Sequence, residues 1–372
     1  MRAMRQINEK ILRFIQTVPM TEFADGAFQQ LALKLFQHQY ENNAVYRGVC
    51  LQQNLTPKVI TAWRDIPAVT TSAFKEVPLA CFPVNEALAV FHTSGTTQKR
   101  SGKHYFRTLD FYHAGMRRSF AEFGLAPYKK MRLLFLGPTA EYFPNSSLGY
   151  MFSGWRDEFG DEQSASFFSP AGVDAAALQN ALEIAIRENI PVFILGTALA
   201  LLECMEVFQR QKRKFKLLCG SRILDTGGYK GRRVEITRAE FRDRLHETFG
   251  VPREYLLNEY GMTELSSQFY ESRLSHRART KQSAMPSALC PQHFMPPWVR
   301  VVAVDPEHLK ILPESEIGLL RIFDLANVDS VMAIQTEDLG RAWQDRIELT
   351  GRATGAELRG CSLLTEAIVR GA

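Results

Sequence analysis

The stretch DAAALQNALEIAIRENIPVFILGTALALLECMEVF, Asp174 to Phe208, decides the fold class. Asp174 is a suitable N-cap, and Leu178, Ala181, Leu182, Ala185 and Ile186 recur behind it at helical spacing, so a helix over 174–189 should bury one face. The run from Pro191 to Gly196 is apolar without alternation, as a strand covered on both faces would be. Thr197 then caps a second helix whose Leu201, Leu202, Met205 and Phe208 lie along one side. Helix, buried strand, helix is the repeating signature of an α/β fold.

Working outward, further strands are predicted at Arg132–Leu136, Arg222–Asp225, Val299–Val304, Gly318–Phe323 and Val331–Gln335, with a helix from Thr237 to Phe249 closed by Gly250. An arginine-rich stretch, Arg273–Lys281, and a proline-rich one, Pro286–Pro297, interrupt the pattern; the first reads as a solvated loop. With 372 residues, 45% hydrophobic and 23% charged, the chain has an ordinary globular composition and room for one large or two medium domains. Its net charge of +5 is spread among 40 acids, which argues against a nucleic-acid partner. Arg2, Arg5, Glu9, Lys10 and Arg13 leave no apolar core for a signal peptide. The longest apolar runs, Val192–Leu195 and Ala198–Leu202, are too short to span a bilayer, so a cytoplasmic location is expected. Six cysteines without a CxxC pair suit neither a zinc site nor a disulfide framework.

Three segments carry residues suited to chemistry. His92 to His104 gathers Thr93, Ser94, Gly95, Thr96 and Thr97 with Lys99, Arg100 and Lys103. Glycines, hydroxyls and cations are what a phosphate cradle needs, whereas a shorter Ser-Gly-Thr match would be a polar turn. It is not a Walker P-loop: six residues separate Gly95 from Gly102, and His104 replaces the metal-binding hydroxyl. Asn258–Glu264 could stack a base on Tyr260, donate to phosphate from Thr263 and hold Mg²⁺ through Glu264. Thr336–Gly340 is predicted to close a strand, with Asp338 placed to accept from two ribose hydroxyls. Either of the last two, alone, would be a solvated turn.

Their order along the chain, followed by Gly351-Arg352, resembles the LuxE acyl-protein synthetases, a branch of the adenylate-forming superfamily related to phenylacetate-CoA ligases. The resemblance runs from Trp63 onward through Asp65–Lys75, Thr93–Thr97, Asn145–Leu148, Asn258–Gln268, Thr336–Gly340 and Gly351–Ser362. It implies a large α/β adenylate-forming domain over 1–350, of mixed sheets flanked by helices, and a short tail over 351–372 without the full C-terminal lid domain. It further implies that Thr93 to Thr97 hold the ATP phosphates, that Gly227 and Gly228 border the adenine with Tyr260 and Gly261, and that Thr263 touches the α-phosphate. Glu264 would bind Mg²⁺, Asp338 and Arg352 the ribose, and Cys361 would accept the acyl group on a mobile tail where Arg359 favours the thiolate.

Two departures accompany the resemblance. Gln98 stands where related loops have glycine, and Thr354-Gly355 replace the paired hinge acids. With seventeen residues after Gly355, the lid lysine is expected to be replaced by Lys99, Lys103 or a partner's cation. The implied reaction activates a carboxylic acid, a fatty acid favoured, as an acyl-adenylate and passes the acyl group through Cys361 to a LuxC-type reductase. An acyl-CoA ligase, a non-catalytic acyl- or nucleotide-binding subunit and a P-loop kinase are the rivals. Tyr142, Phe143 and Asn145–Tyr150 are expected to line the acyl pocket.

Overall fold

The computed structural model describes residues 2–23, 25–93, 101–227, 236–271, 292–353 and 359–370. Its helices are α1 (Arg2–Thr17), α2 (Asp25–Asn42), α3 (Ala44–Gln52), α4 (Ala73–Glu76), α5 (Asp110–Ser119), α6 (Ser147–Phe159), α7 (Ala175–Arg187), α8 (Ala198–Arg210), α9 (Arg238–Phe249) and α10 (Arg359–Arg370). The first seven strands are β1 (Val69–Thr70), β2 (Ala89–His92), β3 (Lys103–Phe106), β4 (Arg132–Leu136), β5 (Ala165–Ser166), β6 (Phe168–Ser169) and β7 (Gly172–Val173). The rest are β8 (Val192–Thr197), β9 (Arg222–Thr226), β10 (Leu256–Tyr260), β11 (Phe269–Glu271), β12 (Gln292–Phe294), β13 (Val299–Val304), β14 (Gly318–Asp324), β15 (Ala333–Ala342) and β16 (Arg346–Arg352). They belong to two compact units: the first draws on 1–118, 262–269 and 285–372, the second on 119–261 and 270–284. Among the described residues no helix is long and apolar enough to cross a membrane.

The second unit is the α/β part foreseen from Asp174–Phe208. Strands β10, β9, β8, β4 and β5 are parallel in that spatial order. Alternation along β4, β8 and β9 sends Leu134, Leu136, Ile194 and Ile223 to one face, where α7, α8 and α9 cover them with Leu178, Leu182, Leu201, Met205, Phe241 and Leu245. The other face is aromatic: Phe193 stacks on Phe120 at 5.6 Å, Phe120 on Trp155 of α6 at 4.1 Å, and Phe135 leans on Phe152. Caps fix the helix starts as the sequence required. Asp174 accepts from Ala177 N, Thr197 from Ala200 N, and Thr237 forms a full capping box with Glu240.

In the first unit β13, β14, β15, β16 and β12 run antiparallel in that order, with β1 added in parallel to β15. Residues 334–335 of β15 pair with β1, whereas 338–342 pair with β16. The strand therefore changes neighbour at Thr336–Glu337, and the expected end of a strand at Thr336–Gly340 is corrected: the run lies inside a ten-residue strand, at a seam. The expected boundary at 350 falls inside β16, and α10 packs on β1, α3 and α4 within this unit.

Gly250, at φ +69°, ends α9 in the left-handed region, and an added Cβ would lie 3.0 Å from the Phe215 carbonyl oxygen. Gly250→Ala should cost about 1–2 kcal/mol and lower the melting temperature by a few degrees; calorimetry on the two proteins checks it.

Candidate functional site

Four charged side chains of the first unit act on one another. Glu264 is buried in the turn after β10, its backbone carbonyl accepting from Asn327 Nδ2 at 2.9 Å. Burial pushes its carboxyl up to about 7; Lys75 and Arg352 pull it down and Asp338 pushes it further up. Asp338 and Arg352 are opposed across β15 and β16, and the Arg352 guanidinium donates to Glu337 at 2.6 Å. Three residues foreseen in the sequence, Glu264, Asp338 and Arg352, are thus joined by a fourth, Lys75 of α4, that was not. Lys75 stood at the end of the block Asp65–Lys75, where a cation between Phe74 and Glu76 gave no sign of facing a carboxylate 189 positions on.

The cradle segment is closed at its neck. Thr93 N donates to the Gly102 carbonyl at 2.9 Å, and Gly102 N donates to the Thr93 hydroxyl at 2.8 Å. Thr93 therefore clasps the loop, and Lys103 begins β3 as an exposed residue paired with His92. Ser94, Gly95, Thr96, Thr97, Gln98 and Lys99 lie outside the described residues, as do Gly228, Thr354, Gly355 and the arginine-rich run. Thr263 donates to the His92 carbonyl at 3.4 Å, and its own carbonyl meets His104 Nδ1 at 2.8 Å. Asp324 fastens the turn that follows, accepting from Ser266 N at 3.0 Å and Ser267 Oγ at 2.8 Å.

Cys361 occupies the first turn of α10 and is 5% exposed, with Sγ 3.9 Å from the Thr336 carbonyl at the β15 seam. Burial pushes its thiol up to about 11; Glu337 adds to the rise and Arg321 opposes it. The expected accessible, cation-favoured thiolate is corrected on this point, because desolvation outweighs the nearby cation. The helix is held by a hydroxyl cluster: Thr365 Oγ1 lies 2.7 Å from both Thr70 Oγ1 and Ser72 Oγ and donates to the Cys361 carbonyl.

In the second unit Gly227 and Tyr260 stand at the carboxyl ends of the parallel strands β9 and β10, the edge where α/β sheets bind ligands. Gly227 has φ +76°, which a side chain would strain, and Gly261 follows Tyr260 exposed. Just inside that edge two buried carboxylates lie on adjacent strands. Asp225 accepts from Asn258 Nδ2 at 2.6 Å, and Glu259 accepts from the Thr226 hydroxyl. Burial raises Asp225 to about 6 and Glu259 to about 7. Of the expected acyl-pocket residues, Tyr142 and Asn145 are exposed, and Ser146 caps α6 by accepting from Gly149 N at 3.0 Å.

A sequence profile described as acyl-protein synthetase, LuxE, matches residues 19–369. The chain belongs to the LuxE acyl-protein synthetase family. As a member of that family it is a ligase. It is 23% identical over 354 residues to a long-chain-fatty-acid–luciferin-component ligase of Aliivibrio fischeri, covering 90% of this chain and 86% of the relative. The ligase of the same description from Vibrio harveyi is 24% identical over 346 residues, at 88% and 84% coverage. In fold, the LuxE-family chain is similar to 2-hydroxyisobutyryl-CoA ligase in an open conformation with 2-HIB-AMP and CoA, at TM-score 0.63 and 17% identity, covering 93% of this chain and 79% of that one. The same enzyme in its postadenylation state gives TM-score 0.65 at 16% identity, with 91% and 70% coverage.

The Glu259 carboxyl carries a pH signature. Its value is raised from 4.5 in this fold, so the folded state holds the proton more tightly, and stability is lost as pH rises from about 4.5 through about 7. Glu259→Gln removes that loss and keeps an acceptor for Thr226. The variant should match the parent near pH 5 and melt at a higher temperature at pH 8; thermal melts at the two pH values check it.

Proposed function

We propose that this LuxE-family chain uses ATP to activate a carboxylic acid, a long-chain fatty acid by its likeness to the two luciferin-component ligases, and then carries the acyl group on Cys361. The observation that carries this proposal is the place of Cys361. Its sulfur rests against Thr336, two positions from Asp338 on the same strand, and Asp338 acts with Arg352 and Lys75 on Glu264. A nucleophile therefore rests against the strand that carries Asp338, one of a set of charges suited to a nucleotide.

In the first step a carboxylate oxygen of the acid attacks the α-phosphorus of ATP, forming the acyl-adenylate and releasing pyrophosphate. Lys75, with Lys103 beyond the clasp, supplies positive charge; Thr263 donates to the α-phosphate; Asp338 and Arg352 take the ribose. A fixed donor of this kind is worth about 3 kcal/mol in oxyanion sites. Glu264 suits Mg²⁺, which takes one or two carboxylates and completes its shell with phosphate oxygens and water. Bound there, Mg²⁺ would offset the charge on the phosphate oxygens.

In the second step the Cys361 sulfur forms a bond to the acyl carbon, the acyl–phosphate bond breaks, AMP leaves and the thiol proton passes to solvent. A thiol 5% exposed has no room for an acyl chain, so the first turn of α10 has to leave β15 for this step. Residues from Gly351 onward act as the carrier segment, and a LuxC-type acyl reductase is the proposed acceptor. The proposed reaction is a cytoplasmic one, in keeping with its use of ATP.

Mixed with Mg-ATP and long-chain acids, the protein should release pyrophosphate and gain one acyl mass. Cys361→Ala should still release pyrophosphate at roughly one equivalent and gain no mass, as read by intact-protein mass spectrometry. Label appearing on added coenzyme A, with none on protein, would sink the carrier role. Lys75→Met should slow pyrophosphate release roughly 10- to 100-fold in stopped-time assays.

A further inference from the structure

His104 stands on β3, immediately beyond the clasped cradle, and is 2% exposed. Its ring lies 4.2 Å from the Phe106 ring and meets Phe74 edge-on at 5.6 Å. A carbonyl oxygen can only accept, so the 2.8 Å contact with the Thr263 carbonyl fixes the proton on Nδ1. Burial lowers the imidazole to about 4, which leaves it neutral with that single N–H. Three segments converge on this side chain. Phe74 precedes Lys75, Thr263 precedes Glu264, and His104 itself follows Lys103 at the exit of the cradle.

We propose that His104 is a positioning residue for adenylation: its Nδ1–H holds the Thr263 carbonyl and so sets the Thr263 hydroxyl and the Glu264 carboxylate against the cradle exit and Lys75. This assignment rests on the adenylation reading above. A space-filling role alone would need only an apolar or flat side chain between Phe74 and Phe106. The short bond to a backbone carbonyl of the Tyr-Gly-Met-Thr-Glu run adds a directional requirement, since only a donor placed at Nδ1 keeps that half-buried carbonyl tied to β3. The imidazole is well suited to the task because it cannot exchange this donor for a charge at any pH near neutrality.

The test uses three substitutions in the full chain. Asparagine places its amide N–H where Nδ1–H stands, glutamine places it a bond farther out, and leucine removes it. His104→Leu and His104→Gln should lower kcat for acid-dependent pyrophosphate release about tenfold, with KM for the acid within about twofold, while His104→Asn stays within about threefold of the parent. Hydrogen exchange gives a readout that needs no substrate. The Leu265 and Ser266 amides, bonded to Met262 and Asp324, should exchange about tenfold faster in the Leu and Gln variants and at the parent rate in His104→Asn. Parent-like exchange and kcat in His104→Leu, or an Asn variant that falls as far as Leu, would overturn the assignment. A parent protein that releases no pyrophosphate with any acid would instead remove the adenylation reading, and the exchange pattern would still decide whether His104 holds the turn.

Discussion

Strand β15 has to satisfy two partners along one edge. Its amino-terminal half bonds to β1 and its carboxyl-terminal half to β16, while β14 runs along the other edge. Between the two partners Thr71 N reaches the Gln335 carbonyl and Ala353 N reaches the Glu337 carbonyl, so each partner extends one residue toward the seam. The seam brings the segments after β1 and β16 to the same few residues of β15. Cys361, Asp338, Arg352 and the hydroxyls of Thr70 and Ser72 owe their places to it. A continuous neighbour along this edge would have turned the Thr336–Gly340 run into ordinary ladder.

The charges gathered beside the seam explain each other. A buried carboxylate such as Glu264 is costly in isolation, and the burial that raises it is opposed by Lys75 and Arg352. Asp338 works against that balance, pushing Glu264 upward. Burial therefore outweighs the two cations and holds the Glu264 carboxyl above its ordinary value. A similar economy holds in the second unit, where Asp225 and Glu259 lie side by side under the strand edge that bears Gly227 and Tyr260.

Much of this was legible in the sequence because it is local. The N-caps at Asp174, Thr197 and Thr237 and the left-handed Gly250 are set by neighbours within four residues, and the strands Arg132–Leu136 and Val299–Val304 contain the apolar runs Leu133–Leu136 and Val301–Val304. The residues of Glu264, Asp338 and Arg352 were legible through the order of short motifs. What escaped was long-range. Glu337 and Asp338 resemble strand-ending acids, and no local signal reveals that a strand continues through them by exchanging one neighbour for another. Lys75 and His104 gain meaning only through contacts with a segment more than 150 residues away. Asp324, fully buried and fastening the turn at Ser266 and Ser267, lies one residue past the predicted strand Gly318–Phe323, where no local signal marks it.

Cys361 shows most clearly how position and chemistry pull apart. On sequence, Arg359 and a place near the end of the chain favoured an ionised, mobile thiol. In the fold, desolvation and Glu337 keep it protonated, and Arg321 offsets only part of that effect. A protonated, covered thiol resists oxidation and alkylation, since thiolate character and access control both. For a nucleophile that acts once per turnover this is a workable resting state, provided the contact that covers it is weak enough to open. Around Cys361 the contact is one thiol against a carbonyl at 3.9 Å and three hydroxyls sharing a cluster. Exchange of such bonds for bonds to water is nearly balanced in free energy. The resting fold thus stores the sulfur beside the strand that carries Asp338.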